Sequence, residues 1–513
     1  MRSRPVVAVR SPVHGLARRS LPALDVLAQP VSAVAPAAAA TTLPLLVATV
    51  AGGGSVLASV TIALALAGAV AACVNQFTRR IAATGSLYTF VVRGLGPRAG
   101  VVTGVAMLLG YGFITMFALA GGGWYAQLLL ARAWPSLAHD GAAGDLPALV
   151  VVVGLGAVAW WVLRRGIRRS ARVALVAEVV SMTLIGALVV ALLVTAGPPS
   201  ASALTPHTSP GDVAVGAVVA LTAFVGFESA ATLGAEARRP FRTVPRAIIW
   251  TALGAGVLYL GAAAAQLVGY AQVGLDLAAG VSPSDELTAA FGVGWAGPVL
   301  DVGVVASFLA CAIASSTALV RVLFTMAREG LVPSALGRAH PEHGTPSTAL
   351  AIALPVLTAA PVVAVMAGAR LWPTMQALLV VSAGGYVTAY ALVCAAVPAF
   401  LVRVGEVTRP AVVLAGVTAT ALGGALLATL ALQTGAARRA GAALFVALLL
   451  AGAAMGLGRL RRRPHLRARL GVHDEPVVAD LLGASAWTPP PGTPTNPGTP
   501  GSPRTPAVDG EAA

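Results

Sequence analysis

The sequence predicts an all-α polytopic membrane protein of about twelve transmembrane helices, built around an inverted repeat of five. Three observations predict this fold class. The composition is far too apolar for a soluble domain, and long apolar runs alternate regularly with arginine-rich connections. Helix-breaking residues interrupt two of these runs, the first and the sixth.

The composition indicates a membrane protein. Of 513 residues, 57% are hydrophobic and 10% charged, with a mean hydropathy of +0.84, whereas soluble domains carry about 25% charged residues. A β-barrel would show alternating segments of about ten residues instead. The net charge of +15 comes from loop arginines, so we expect the lipid bilayer, and not nucleic acid, as the partner.

Twelve apolar runs are each long enough to cross a bilayer as a helix, which takes about 20 residues. An even number of spans places both chain ends on one side of the membrane. The predicted spans 1 to 12 cover residues 24–48, 54–77, 97–130, 146–163, 172–196, 213–236, 246–272, 297–326, 347–368, 372–402, 411–432 and 441–459.

Arginine sets the orientation of these spans. The chain has no lysine, and 30 of its 34 basic residues belong to one side of the predicted topology. Because cytoplasmic loops carry the excess of basic residues, that side is predicted to be cytoplasmic, with both termini there, in a multi-pass protein of the cell membrane. The opposite side holds only Arg132, Arg370, Arg438 and Arg439.

The chain is predicted to have a cytoplasmic tail at 1–22, a transmembrane domain at 23–460 and a second tail at 461–513. The second tail is basic and then Pro/Gly/Thr-rich, a composition typical of disorder. Metal and cofactor sites are not predicted, because every histidine falls in a tail or loop and the three cysteines have no ligand spacing. These cysteines, all in apolar runs, are Cys73, Cys311 and Cys394.

Two spans break the rules for a membrane helix. Span 1 reads "LDVLAQPVSAVAPAAAATTLP", with Pro30 and Pro36 inside it, and span 6 contains "TAFVGFESAA", with Gly226 at the expected break. Breaks persist in a membrane only where protein or a wet cavity covers the backbone. The five-helix offset predicts inverted repeats with a site between the two broken helices; the alternative is a pair of unrelated proline kinks.

Acidic residues at membrane depth form the second group of candidates. Each costs about 2.5–3.5 kcal/mol at a helix centre on insertion scales, so each is a functional hypothesis. Glu228 adjoins the break in span 6 and Glu178 lies in span 5, so either could carry a proton; the alternative is a structural hydrogen bond to freed amides. Asp301, near the outer end of span 8, is expected to reach the interface.

Three stretches resemble signatures of the amino acid–polyamine–organocation superfamily. They are "RRIAATGSLYTFVVRGLGPRAGVVTG" (79–104), "ALTAFVGFESAATLGAEARRPFRTVPRAI" (220–248) and "RVLFTMAREGLVPSALGRAHPEHGTPSTAL" (321–350). The resemblance covers residues 20–460. It implies a LeuT-like core with repeats at about 24–196 and 213–402, and two extra helices at about 411–459. The implied activity is transport of amino acids or related amines by alternating access.

By this resemblance, the broken parts of spans 1 and 6 would bind the substrate through backbone groups. Phe224 or Phe227 would serve as an aromatic gate, and Tyr111 in span 3 would line the cavity. The implied substrate-binding residues are Ser32, Ala33, Val34, Ala35, Pro36, Ala37, Tyr111, Phe224, Val225, Gly226, Phe227 and Glu228.

The sequence departs from the family at the break in span 1. Many relatives have Gly-x-Gly there, whereas this chain reads "VAPAAA" (34–39), and proline donates no amide. A substrate other than a standard α-amino acid therefore becomes possible.

Proton coupling through Glu228 or Glu178 is favoured. Sodium coupling, with span 8 hydroxyls at Ser315 and Ser316 as candidate ligands, and exchange without an ion stay open. A membrane-embedded enzyme would need clustered ligands or a nucleophile–base pair, and a nontransporting sensor would carry a folded regulatory domain; neither feature is found in the sequence.

Overall fold

The computed structural model describes residues 16, 18–134, 142–196, 209–280, 282–340, 344–433 and 435–474. Within these ranges all regular secondary structure is helical, and the only β-type pairing is an isolated bridge between Leu21 and Ala237. Most of the two predicted tails, 1–15 and 475–513, lies outside the described residues.

Twelve helices of the described residues are long and apolar enough to cross a membrane, which confirms the predicted fold class and span count. They are Ala23–Ala51, Gly53–Thr78, Pro97–Ala133, Leu146–Arg164, Ile167–Leu192, Pro210–Leu233, Pro240–Val273, Ala296–Arg328, Ser347–Met366, Leu371–Val404, Arg409–Ala431 and Ala436–Arg462. We keep the names span 1 to span 12 for them. Short helices that the sequence analysis did not predict cover Leu87–Leu95 and Pro283–Ala290.

Spans 1 and 6 are each divided in two. Span 1 consists of half-helix 1a (Ala23–Val34) and half-helix 1b (Pro36–Ala51), separated by Ala35. Span 6 consists of half-helix 6a (Pro210–Leu221) and a 3-10 segment, 6b (Phe227–Leu233). Pro36 sits at the first position of 1b, where its missing N–H would have had no helical partner.

Pro30 does not break span 1, and the break falls at Ala35, next to Pro36. Pro30 lies inside half-helix 1a, which continues for four more residues. Membrane helices tolerate proline where neighbouring helices hold the affected turn. Here the Gln29 side chain donates a hydrogen bond of 2.8 Å to the Ala314 carbonyl of span 8, which fixes that turn against its neighbour.

Spans 3 and 10 approach so closely that glycine is required between them. A Cβ added to Gly385 would lie 2.5 Å from the Ala106 carbonyl oxygen and 2.6 Å from the Gly110 nitrogen. Without a hydrophobic drive between helices in lipid, small residues allow the close backbone contact that holds spans together. This contact positions the tyrosines of spans 3 and 10 described below.

The side of the molecule that carries the arginine-rich loops is closed by a buried ion pair. Arg321 of span 8 binds both carboxylate oxygens of Glu236, at 2.7 and 3.1 Å, and both side chains are almost fully buried. Glu236 follows 6b, and its carbonyl accepts the Leu21 amide at 2.9 Å. Span 8, span 6 and the segment before span 1 are thereby joined at one point.

A segment after span 12, residues 464–474, runs across the same face; we call it the strap. Its Val472 amide donates to Glu329 at 2.7 Å, and its Asp474 amide donates to the Ala82 carbonyl at 2.8 Å. The Asp474 carboxylate also pairs with Arg18 at 2.6 Å. The strap therefore connects the end of span 8 with the loop after span 2 and with the N-terminal segment.

Replacing Gly385 by alanine should destabilise the protein. The added methyl group meets two backbone atoms that cannot rotate away, so we expect a loss of about 1–3 kcal/mol and a clearly lower melting temperature in detergent. Gly423→Ala in span 11 is the matched control, because a Cβ there meets nothing within 4 Å. Equal melting temperatures for the two variants would contradict the packing described.

The contribution of Glu329 to the stability of the folded protein should decrease as pH rises. Burial raises the pKa of Glu329 from 4.5 to about 7, against the opposing hydrogen bonds from Tyr88 and Val472. Because the folded protein binds this proton more tightly than the unfolded chain does, the contribution is fully present below about pH 4.5 and is lost progressively as pH rises towards 7.

Melting temperatures in detergent at about pH 5.5 and about pH 8 check this pH dependence. The Glu329→Gln variant, which keeps a neutral side chain, should lose less stability between the two pH values than the wild type, because it lacks the titrating group. An equal or larger loss of stability in Glu329→Gln would contradict the prediction.

Candidate functional site

The two helix breaks lie against each other at the centre of the fold. Ala35 has a left-handed backbone (φ 49°), and Gly226 has φ 104°, a conformation that essentially only glycine adopts freely. A Cβ added to Gly226 would lie 3.0 Å from the Ala33 Cβ and 3.1 Å from the Ala33 carbonyl oxygen. The unwound backbones of spans 1 and 6 are thus in direct contact.

Glu228 holds the break in span 6 together. Its buried carboxylate accepts the Gly226 amide at 3.1 Å and the Tyr111 hydroxyl at 2.8 Å. It also accepts the Tyr390 hydroxyl, which itself receives the Gly226 amide at 3.3 Å. Spans 3, 6 and 10 therefore meet at one carboxylate, and hydrogen bonds to a charged acceptor are the stronger kind.

The aromatic residues of the break are packed into the protein interior. Phe224 makes an edge contact with Tyr259, with ring centroids 5.1 Å apart, and Phe227 lies 5.5 Å from the ring of Tyr390. The Tyr259 hydroxyl donates to the Ala223 carbonyl at 2.9 Å, which satisfies one acceptor freed by the break. Both phenylalanines are buried in this conformation.

Glu178 accepts a freed backbone amide at the break in span 1, as Glu228 does at the break in span 6. Its Oε1 atom accepts the Ala37 amide and the Ser307 hydroxyl, each at 3.0 Å. The Ala38 amide donates to the same Ser307 hydroxyl at 3.2 Å. The positive N-terminal end of half-helix 1b thus faces a buried carboxylate of span 5.

A cavity leads to the breaks from the side opposite the arginine-rich loops. It has a volume of about 540 Å³, and Trp124, Trp372 and Arg438 are among its lining residues. At its inner end lies a smaller apolar cavity of about 50 Å³, to which Leu46, Thr222 and Leu379 also belong. The protein is therefore open on one side of the breaks and closed on the other.

The residues expected to bind substrate fall into two groups. Ala33, Val34, Ala35 and Val225 line the small cavity. The others surround it or lie behind it without lining it in this conformation. These are Ser32, Pro36, Ala37, Tyr111, Phe224, Gly226, Phe227 and Glu228.

The candidate sodium ligands are buried beside span 1. The Ser315 hydroxyl is 3.8 Å from the Cys311 sulfur, and the Ser316 hydroxyl has no hydrogen-bond partner. The Cys311 thiol donates to the Ala33 carbonyl at 3.2 Å, so this carbonyl oxygen at the break already accepts a hydrogen bond. Among the described residues, no group of three or more His, Cys, Asp or Glu side chains could hold a metal ion.

Asp301 does not reach the membrane interface, contrary to the expectation. Its side chain is fully buried and pairs with Arg132 at 3.2 Å. The Ser284 hydroxyl also approaches it at 3.4 Å. An arginine from the end of span 3 thus compensates the charge inside the protein, which the sequence alone did not indicate.

Sequence reasoning missed several residues that complete the site. Tyr390 and Ser307 bind the two carboxylates, and Phe117 and Phe308 form an apolar wall, with ring centroids 5.8 Å apart. One available signal was the pair of tyrosines at 386 and 390 in span 10, because residues four apart share a helix face.

The sequence profile of a family described as amino acid permease matches residues 29–454. The branched-chain amino acid permease BcaP of Bacillus subtilis is 26% identical over 289 residues, which is 53% of this chain and 60% of the relative. The low-affinity putrescine importer PlaP of Escherichia coli K12 is 25% identical over 287 residues, 53% and 59% of the two chains. The matched region thus spans about 60% of these relatives.

A solved structure has the same fold. The crystal structure of MhsT in complex with L-phenylalanine superposes with a TM-score of 0.56 at 14% sequence identity. The match covers 79% of this chain and 97% of the other. At that identity the likeness shows the fold alone, and it confirms the LeuT-like architecture expected from the sequence.

Gly226→Ala should abolish transport while leaving a folded protein. The positive φ of Gly226 strains any L-residue by about 1–3 kcal/mol, and the new methyl group would press on Ala33. We expect the initial uptake rate in proteoliposomes to fall by at least about tenfold, measured with any labelled amino acid or amine that the wild type accumulates.

Gly254→Ala in span 7 is the control, because a Cβ there meets nothing within 4 Å. A monodisperse elution profile for both variants shows that they are folded. Wild-type uptake by Gly226→Ala would mean that the break does not take part in transport.

Proposed function

Because the chain belongs to the amino acid permease family, we propose that it moves a small amino acid or amine across the membrane by alternating access. The observation that carries this proposal is the contact between two helix breaks at the inner end of a one-sided cavity. Broken helices at the midplane are where transporters of this architecture bind their cargo. The family is one of transporters and not of enzymes, which agrees with the prediction of a transporter from the sequence.

Proton coupling through Glu228 is the mechanism that the geometry supports best. As a carboxylate, Glu228 accepts the Gly226 amide and two tyrosine hydroxyls. A protonated carboxyl group is a weaker acceptor, so protonation releases the Gly226 amide and loosens the link between spans 3, 6 and 10. One proton thereby changes the backbone at the break and the packing of the spans that must move.

Sodium coupling has less support from the geometry. The Ala33 carbonyl is used by Cys311, and the Ala314 carbonyl is used by Gln29. Ion-independent exchange remains the second candidate, since the two breaks would bind cargo equally well without a transported ion. Glu178 stays a candidate proton carrier, but it is tied to half-helix 1b, which gives it a second role considered below.

The expected location is the cell membrane, with both termini in the cytoplasm. Support comes from the arginine distribution and from the one-sided cavity, which would then open outwards. Three native cysteines, all buried, make labelling of added cysteines specific. A cysteine at position 438 should react with an impermeant reagent in intact cells, and one at position 403 should react only after lysis.

Glu228→Gln should lose uptake driven by an inward proton gradient while retaining exchange of cargo between the two sides. The amide side chain mimics the protonated form and cannot release a proton. Proteoliposomes with and without a pH gradient, and with and without sodium, should be compared using a panel of labelled amino acids and amines. We expect proton-driven accumulation to decrease by at least about tenfold.

Glu406→Gln is the matched control, because this carboxylate is exposed and pairs with Arg80. It should accumulate cargo like the wild type. Unchanged proton-driven accumulation in Glu228→Gln would refute the coupling role, and sodium dependence in the wild type would favour the sodium alternative.

A further inference from the structure

The N-terminal end of half-helix 1b has no amide left for a ligand. Its first residue, Pro36, has no N–H. The next two amides, of Ala37 and Ala38, donate to Glu178 and Ser307, and the Ala39 amide donates to the Ala35 carbonyl. The donors that a helix normally leaves open at this end are all used by the chain itself.

The amide freed at the break in span 6 is also bound by the protein's own side chains. The Gly226 amide faces the Glu228 carboxylate and the Tyr390 hydroxyl. At each break, therefore, the protein supplies its own anion to the freed backbone donors. An arriving carboxylate would have to displace a buried carboxylate that is held by two or three hydrogen bonds.

The charges around the breaks also disfavour an anionic group. The described residues that line the small cavity include no basic side chain. Two acidic groups, Glu178 and Glu228, lie at the breaks and are fully buried. Arg321, further towards the closed face, is neutralised by Glu236, and Arg438 lines the larger cavity but not the small one. A ligand carboxylate in the small cavity would thus meet two like charges and find no cation among the described lining residues to compensate them.

The same features suit a ligand cation. The Oε2 atom of Glu178 is buried and accepts no hydrogen bond, so behind the cavity wall the carboxylate keeps an uncompensated acceptor that attracts a positive charge. Phe117 and Phe308 also line the small cavity, and aromatic rings attract ammonium groups. The rest of its lining is mainly aliphatic and matches a hydrocarbon stem.

We propose that Glu178 takes the place of a substrate carboxylate at half-helix 1b, so that the cargo is an organic amine without a carboxylate. This inference rests on the proposed transport function and narrows it to one substrate class. Glu178 then acts as the residue that determines specificity, since it excludes α-amino acids by occupying their anchoring donors.

Pairs of ligands that differ only in the carboxylate test this inference on the wild-type protein. Putrescine is compared with ornithine, 3-methylbutylamine with leucine, and leucine methyl ester with leucine. Thermal stabilisation in detergent and competition for uptake in proteoliposomes are measured for each. The member without an ionised carboxylate should bind at least about tenfold more tightly in each pair. This is the ratio expected if the carboxylate of the other member must displace the charge-assisted hydrogen bonds of Glu178.

Glu178→Ala frees the Ala37 amide and removes one negative charge. It should reduce or invert the preference within each pair, whereas Glu406→Ala, an exposed control, should keep the wild-type preference. If Glu178→Ala does not fold, Glu178→Gln serves in its place, because it removes the charge and retains an acceptor for the Ala37 amide.

The outcomes separate the two proposals. Amino acids that bind as tightly as their amines in the wild type would overturn the substrate class while leaving the transport function intact. A preference for amines that Glu178→Ala and Glu178→Gln both leave unchanged would overturn the role of Glu178. Failure of every member of every pair to bind or compete would overturn the transport function as well.

Discussion

The architecture depends on one constraint: a backbone amide freed inside a membrane must find an acceptor within the protein. Two helices are unwound here, and two buried carboxylates accept the amides that result, Glu178 for span 1 and Glu228 for span 6. Each carboxylate comes with hydroxyl partners from other spans. The breaks are thus stable because spans 3, 5, 8 and 10 are positioned around them, and a shift in these spans changes the breaks.

The two sides of the breaks are built from different interactions. The open side is a mainly apolar cavity. The closed side is held by the buried pair of Arg321 and Glu236 and by the strap. Breaking a buried ion pair by separating its members is expensive, because each charge is left without compensation. Movement that opens the closed side is therefore easier when span 8 and the segment after 6b move together, so that Arg321 and Glu236 stay paired.

The sequence predicted the fold well, because the features that indicate this fold are visible along the chain. These features are the length of the apolar runs, the alternation of arginine-rich loops, and the five-helix offset between Pro36 and Gly226. The sequence named Glu178 and Glu228 as candidate acceptors of the freed amides, but it did not predict the hydroxyl groups that join them. Tyr111 and Tyr390 lie 117 and 162 residues from Glu228, and such pairings depend on helix packing. The tolerance of Pro30 inside half-helix 1a also depends on packing, because Gln29 beside it bonds to span 8.

The anion at half-helix 1b belongs to span 5, and Glu178 does not line either cavity at the breaks. Selection of cargo can therefore change in evolution without any alteration of the cavity wall. A single replacement behind the wall, together with glycine in place of Pro36, would return the backbone donors to the ligand. Members of this family with nearly identical cavities could for this reason differ in the chemical class that they carry.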